Sequence, residues 1–184
     1  MNSDEESYSR FLAGDASAYD ELLLRHGDGL VRFLNGYVHD LQDAEDLMIE
    51  AFARIMVKRP AIRPGCFKAY LYRTARNLAT RFHGVKTRVP LFSLEDLKRE
   101  IAGKERLEEE LQTRELAKIL QACLDRVDPE LREALWLVYG EDMSYAQAAL
   151  VMGVSAKRID HLLQRGKQVL RQELEKEGVT HAHG

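Results

Sequence analysis

Tyr145 to Arg165 reads YAQAALVMGVSAKRIDHLLQR, and the placing of its small and apolar residues predicts two short helices meeting at a tight turn. Such a pair needs a small residue where the helices cross, a glycine four positions later to bend the chain, and apolar residues at set offsets beyond it. Ala149, Gly153 and then Val154, Ile159 and Leu162 meet that demand, with Ala148 and Met152 filling the remaining core positions. Ser144 and Ser155 stand where N-caps belong, their hydroxyls able to accept from backbone N–H groups that the helices leave unpaired. Beyond Ser155, the second helix presents Lys157, Arg158, Asp160, His161, Gln164 and Arg165 outward. Basic and amide side chains on such a helix suit the major groove of duplex DNA, where Arg favours guanine, Gln favours adenine, and a carboxylate accepts from cytosine. A plain helical hairpin has the same spacing, but from Met143 to Gln172 five cations accompany one acid, in a chain where acids outnumber cations by 30 to 27.

A second stretch departs further from the average. From Ala51 to Leu94 there are ten Lys and Arg and no Asp or Glu, although the formal net charge of the chain is -3. Positive charge gathered in this way raises the local potential and supplies phosphate contacts. Taken alone it fits equally well a solvated basic face or one paired with acids elsewhere. The aromatic residues shift that balance, because Phe52, Phe67, Tyr70, Tyr72, Phe82 and Phe92 lie in or beside the block. Phe67 to His83, FKAYLYRTARNLATRFH, has no internal Gly or Pro and predicts a helix. At about 100° per residue, Leu71, Ala75, Leu78, Ala79 and Phe82 share an apolar arc, opposite Tyr70, Arg73, Arg76, Asn77, Thr80 and Arg81. A ring and an amide among cations are what unstacked bases require, the ring for stacking and the cations for phosphate. The other reading of Tyr70 and Tyr72 is packing at the rim of a core, and Tyr72, near the boundary of the arcs, is assigned to it.

The 184 residues suffice for one large domain or two small ones. Charged residues at 31% and hydrophobic ones at 45% describe an ordinary globular protein, and four prolines with no run of alternating β-branched residues predict an all-α fold. The opening MNSDEESYSR has no apolar core, so no signal peptide is expected; nor is membrane insertion, and the expected location is cytoplasmic. Cys66 and Cys123 lack zinc-site spacing and are expected to be free thiols. Helices are predicted over Tyr8–Leu12, Ala16–Tyr37, Leu41–Lys58 and from Phe67, with Asp15 or Ser17 as a cap and the sequence RPAIRPGC, Arg59 to Cys66, as a shaped loop. Beyond Gly84 the pattern weakens and acids accumulate. The expected organisation is therefore a first unit over 1–88, a linker over 89–114, a second unit over 115–178 and a tail over 179–184. His181 and His183 in that tail are read as incidental, and neither a metal nor a cofactor is expected.

His39 to Ile55, HDLQDAEDLMIEAFARI, carries Asp43, Glu45, Asp46 and Glu50. No Glu-x-x-His pair accompanies them, so the helix is read as a protein-binding surface, with Leu47 and Phe52 as apolar anchors and the acids as steering charge.

Together these motifs resemble bacterial RNA polymerase sigma factors of the extracytoplasmic-function type. The resemblance rests on Gly14-Asp15 with Ala18-Tyr19 and Leu22, on Asp43 to Leu47 with Glu50-Ala51-Phe52, on Phe67 to Arg73 with Ala75-Arg76-Asn77, and on Asp128-Pro129 through Arg165. It implies two helical domains, sigma domain 2 and sigma domain 4, and a non-enzymatic transcription initiation factor. Asp43, Glu45, Asp46, Leu47, Glu50 and Phe52 would bind core polymerase. Arg54, Lys58, Ile62, Arg63, Tyr70, Arg73, Arg76 and Asn77 would contact a melted minus-ten promoter element, the loop before the basic helix holding a flipped-out base. Ser155, Lys157, Arg158, Asp160, His161, Gln164 and Arg165 would read a minus-thirty-five element as duplex. The family also implies control by an anti-sigma protein, which nothing in the residues shows. Ile49 stands where Gln is usual, Tyr70 where Trp is commoner, and Asp160 and His161 where basic and small polar residues are usual. The rival from another class is a stand-alone helix-turn-helix regulator that binds duplex DNA without polymerase.

Overall fold

A computed structural model of the chain describes residues 3–82 and 107–179. Over the first range run α1 (Asp4–Leu12), α2 (Ser17–Val38), α3 (Leu41–Lys58) and α4 (Phe67–Phe82). Local chemistry sets their starts. The Ser3 hydroxyl accepts from the Glu6 N–H at 3.2 Å while Glu6 accepts from the Ser3 N–H at 2.8 Å, a reciprocal cap that begins α1 four residues before the expected Tyr8. Asp15 accepts from the N–H of Ser17 at 3.0 Å at the head of α2, and Asp40 from the N–H of Asp43 at 2.9 Å at the head of α3. The bounds of α3 are those expected, and α4 is described from Phe67 to Phe82, the expected last residue His83 lying outside the described residues.

These helices close on one core. Leu22, Leu30, Phe33 and Leu34 of α2, Ala51, Phe52 and Ile55 of α3, and Phe67, Leu71 and Ala75 of α4 are all at most 1% exposed. Burying each large side chain is worth about 1.5–3 kcal/mol, which outweighs the modest helix propensity of the aromatic ones. Phe82 is a correction. Placed on the apolar arc by the periodicity, it is 51% exposed, because it is the last residue of α4 and lies beyond the reach of that core.

The second range folds as α5 (Leu107–Arg126), α6 (Pro129–Leu135), a π-helical turn at Trp136–Gly140, α7 (Tyr145–Met152) and α8 (Ala156–Lys176). Asp128 caps α6 by accepting from the Glu130 N–H at 3.1 Å, and Pro129 occupies the first turn, where no N–H is needed. Ser144 and Gln147 form a reciprocal cap on α7, and the Ser155 hydroxyl accepts from the Arg158 N–H at 3.1 Å to start α8. Between these helices Gly153 has φ 69°, a left-handed conformation that a side chain would strain. Ala148, Ala149, Val151, Met152, Ile159 and Leu162 are buried, so the helix pair packs as its spacing predicts. The expected linker lies outside the described residues as far as 106, and from 107 on it is the start of α5. His181 and His183 also lie outside them. Among the described residues no helix is long and apolar enough to cross a membrane.

The two units are in contact, α4 lying against α7. Glu133 of α6 accepts from the Tyr37 hydroxyl and from Arg76, whose Nε and Nη2 stand 2.6 and 3.2 Å from its oxygens. Glu141, set by the π-helical turn, accepts from the Tyr72 hydroxyl at 2.8 Å, and its carbonyl from Lys68 Nζ at 2.7 Å. Tyr72, expected at the rim of a core, is fully buried between the units. Burial first, and the facing carboxylates second, hold both phenols far above their ordinary pKa, so they act as donors. Burial works against the Arg76 charge, but Glu133 outweighs it and raises the guanidinium pKa. Gly29 makes room for this contact: a Cβ there would stand 2.8 Å from the Tyr72 hydroxyl oxygen.

Candidate nucleic-acid interface

α4 carries two polar stripes, where the sequence predicts one outward arc. Tyr70, Thr74, Asn77 and Arg81 recur at helical spacing on the first. With Arg54, Ile55 and Lys58 of α3 and with Pro60 they line a cleft of about 200 Å3. No carboxylate is among these lining residues. Arg54 is steadied by Glu50, whose carboxylate accepts from Nε at 3.0 Å and from Nη2 at 2.6 Å. Tyr70 is half-buried, its ring partly packed on the core, and the Thr74 hydroxyl donates to the Tyr70 carbonyl at 2.9 Å. A ring edge, an amide and cations thus converge on one concave surface, a donor set suited to phosphate and to an unstacked base.

The loop from Arg59 to Cys66 forms the adjoining wall. Arg59 has φ 47° and sits 5.3 Å above the Phe11 ring, and Gly65 has φ 74°. A second, largely apolar cleft of about 230 Å3 lies between this loop and α1, lined by Tyr8, Leu12, Pro60, Ile62, Pro64 and Phe67 with Arg63 at its side.

Of the residues expected on this face, Arg54, Lys58, Tyr70 and Asn77 meet in the first cleft, and Ile62 and Arg63 in the second. Arg73 is exposed and lines neither. Arg76 belongs to the other stripe: with Lys68 and Tyr72, each one helical turn from the next, it faces the second unit, and Glu133 holds it there. Ile55, Pro60, Thr74 and Arg81 are not among the site residues expected from the sequence, yet line the first cleft. For Thr74 and Arg81 the signal is helical spacing, since 70, 74, 77 and 81 form one narrow stripe along α4, with Thr74 just beyond the outward arc; Pro60 lies outside α4 and has no such signal.

On α8, Lys157, Arg158, His161, Gln164 and Arg165 are exposed and Asp160 is half-buried. Asp160 accepts from Gln164 Nε2 at 3.1 Å, and Arg158 pairs with Glu130 at 2.8 Å. Lys167, one turn further on, lies 4.8 Å from the Tyr139 ring centroid.

The acidic helix corrects the sequence reading in one respect. Asp46 and Glu50 are exposed and Asp43 and Glu45 half-buried, but Leu47 is 4% and Phe52 0% exposed. Both share the inward face of α3 with Ala44, Ala51 and Ile55, so they support the helix from within and are not surface anchors. The large apolar residues it does expose are Leu41 at 60%, Ile49 at 56% and Val57 at 82%.

Residues 22–89 match the family described as Sigma-70 region 2, and residues 109–170 that described as Sigma-70, region 4. The chain is 32% identical over 167 residues to the ECF RNA polymerase sigma factor SigE of Mycolicibacterium smegmatis, a match covering 89% of this chain and 65% of that protein. It is 30% identical over 177 residues to the RNA polymerase sigma factor NccH of Alcaligenes xylosoxydans xylosoxydans, covering 91% of this chain and 92% of the relative. Among solved structures, that of CnrH in complex with the cytosolic domain of CnrY has a TM-score of 0.64 at 22% identity, covering 95% of this chain and 99% of that one, a likeness of fold.

Proposed function

This chain belongs to the RNA polymerase sigma factors of the extracytoplasmic-function type, and from that premise we propose that it binds core RNA polymerase and directs it to promoters by capturing a melted minus-ten element on unit one and reading a minus-thirty-five element with α8. The observation that carries the reading is the acid-free cleft of Arg54, Lys58, Tyr70, Thr74, Asn77 and Arg81 beside the shaped loop. Melting in this scheme needs no covalent step. Phosphate contacts and stacking of extruded bases offset unstacking, which costs a few kcal/mol per step.

Core polymerase docks on the outer face of α3, where Glu45, Asp46 and Glu50 supply charge and Leu41 and Ile49 supply apolar contact. α8 enters the major groove with Lys157, His161, Gln164 and Arg165 toward the bases, while Asp160 is steadied by Gln164 and set to accept from a cytosine amine. Each unit alone binds weakly, and tethering to one polymerase makes the second contact effectively intramolecular. Arg76 reaches DNA in this scheme only after α6 withdraws Glu133. An inhibitory protein that holds the units together would act on the same step, and the solved structure of CnrH in complex with the cytosolic domain of CnrY supports looking for a protein partner of this chain.

The test is transcription in vitro by core polymerase plus this protein over a library of random promoters. Enrichment of two short motifs at a fixed spacing is expected. Tight, sequence-specific binding by the protein without polymerase, and no transcription with it, would establish the stand-alone regulator instead.

A further inference from the structure

The loop from Arg59 to Cys66 has little structure of its own. Pro60 and Pro64 lack an N–H, and within the loop only the Cys66 N–H to Arg63 carbonyl bond, 3.0 Å, is formed among the described residues. What fixes it comes from far away in sequence. The Tyr8 hydroxyl donates to the Pro60 carbonyl at 2.9 Å, and the Glu5 carboxylate accepts from the Gly65 N–H at 2.6 Å. One helix therefore holds the loop near both ends, with Ile62 and Arg63 presented between the two anchors.

That helix is itself tied down. Asp4 pairs with Arg25 at 2.5 Å and meets His26 at 2.9 Å, while Glu21 accepts from Ser7 at 2.9 Å and from Arg10 at 2.8 Å. Tyr8 is 6% exposed and its ring lies 5.3 Å from Phe67, the first residue of the basic helix. α1 also forms the opposite wall of the apolar cleft under the loop. Yet it lies wholly outside residues 22–89, the stretch that matches the family.

We propose that Glu5 and Tyr8 are positioning residues that hold the 59–66 loop in its base-capturing shape. The proposal rests on the minus-ten reading above. A loop that samples several shapes captures a base in proportion to the fraction of time it is competent, so an anchor that narrows the ensemble raises both affinity and discrimination. The second unit also touches the loop, Gln147 donating to the Gly65 carbonyl at 2.6 Å, but that contact is lost whenever the units part. The α1 anchors lie within unit one and remain.

Full-length protein with core polymerase is assayed on duplex templates varied at each melted position, using Tyr8→Phe, Glu5→Ala and Glu5→Gln. Tyr8→Phe keeps the buried ring, and the Gln amide oxygen can still accept from Gly65. Tyr8→Phe and Glu5→Ala should each lower the preference for the best over the worst base at one melted position by about threefold to tenfold, the range set by one net hydrogen bond. Glu5→Gln should restore it. Preference at the upstream element and affinity for core polymerase should not move, and amide exchange across 60–66 should quicken only where preference falls. An unchanged base preference, an equal loss for every base, or failure of Glu5→Gln to rescue would each overturn the proposal. A wild-type protein with no base preference in the melted region would overturn the minus-ten reading, and this inference with it.

Discussion

Replacing Glu133 by Ala removes the group on which Tyr37 and Arg76 converge. The Tyr37 hydroxyl is left buried without its acceptor, a loss of about 1–3 kcal/mol. Arg76 loses its partner too, but its side chain is 27% exposed and can regain water, so only part of the 3–5 kcal/mol typical of broken buried pairs applies, as an order of magnitude. Together the contact between the units should weaken by about 2–4 kcal/mol, or roughly 30- to 700-fold in the ratio of closed to open molecules. Trp136 reports the change. It is the single tryptophan of the chain, is 6% exposed, and lines a cavity of about 380 Å3 between the units. Its emission should shift to the red and the radius of gyration from small-angle scattering should rise, while each unit keeps its own core. Glu133→Gln, which still accepts from Tyr37 but does not neutralise Arg76, should fall between. A lower melting temperature with unchanged emission and radius would refute the reasoning, because Glu133 would then matter to α6 alone.

Gly153→Ala forces a side chain into φ 69° and should destabilise the second unit by about 1–2 kcal/mol, read as a lower thermal midpoint, whereas an unchanged midpoint would mean the turn relaxes at no cost. Tyr70→Ala should leave core-polymerase affinity intact and reduce promoter opening by about 5- to 150-fold, the equivalent of about 1–3 kcal/mol of base stacking; equal opening on duplex templates would exclude the ring from the melted strand. The Asp4 carboxyl is pushed up by burial, but His26 and Arg25 outweigh this and bring it below its ordinary 3.8. A depressed folded value means its contribution is complete above 3.8 and is lost as pH falls through the folded value. The stability gap between wild type and Asp4→Asn in urea titrations should therefore narrow below that pH, and a gap that stays constant on acidification would count against the assignment.

What was legible in the sequence was local. The bounds of α3, the caps at Ser144 and Ser155 and the turn at Gly153 depend on residues within a few positions, and the structure has each where the sequence predicts it. The start of α1 was missed because Ser3 and Glu6 cap it ahead of the first aromatic residue. Leu47 and Phe52 were drawn outward by the acids around them, although the arithmetic that separated the faces of α4 puts them with Ala44 and Ile55. The split of α4 into two stripes was not readable, because its second stripe is defined by Glu133 and Glu141, which lie 57 and 69 residues beyond Arg76 and Tyr72. Contacts of that range are set by how two packed bodies meet, and periodicity carries no information about it.

The seam between the units also sets a geometric limit. Promoter elements named for positions ten and thirty-five lie about 25 base pairs apart, and at about 3.4 Å per pair that is roughly 85 Å. A folded chain of 184 residues has a radius of gyration near 16 Å, as an order of magnitude. Joined through Glu133 and Glu141, it is too short to touch both elements at once. Under the proposed reading, the joined form is a search state and the parted form the working one. Polymerase and promoter then act as a ruler: a site at the wrong spacing fails to separate the units, however well either half of it is matched.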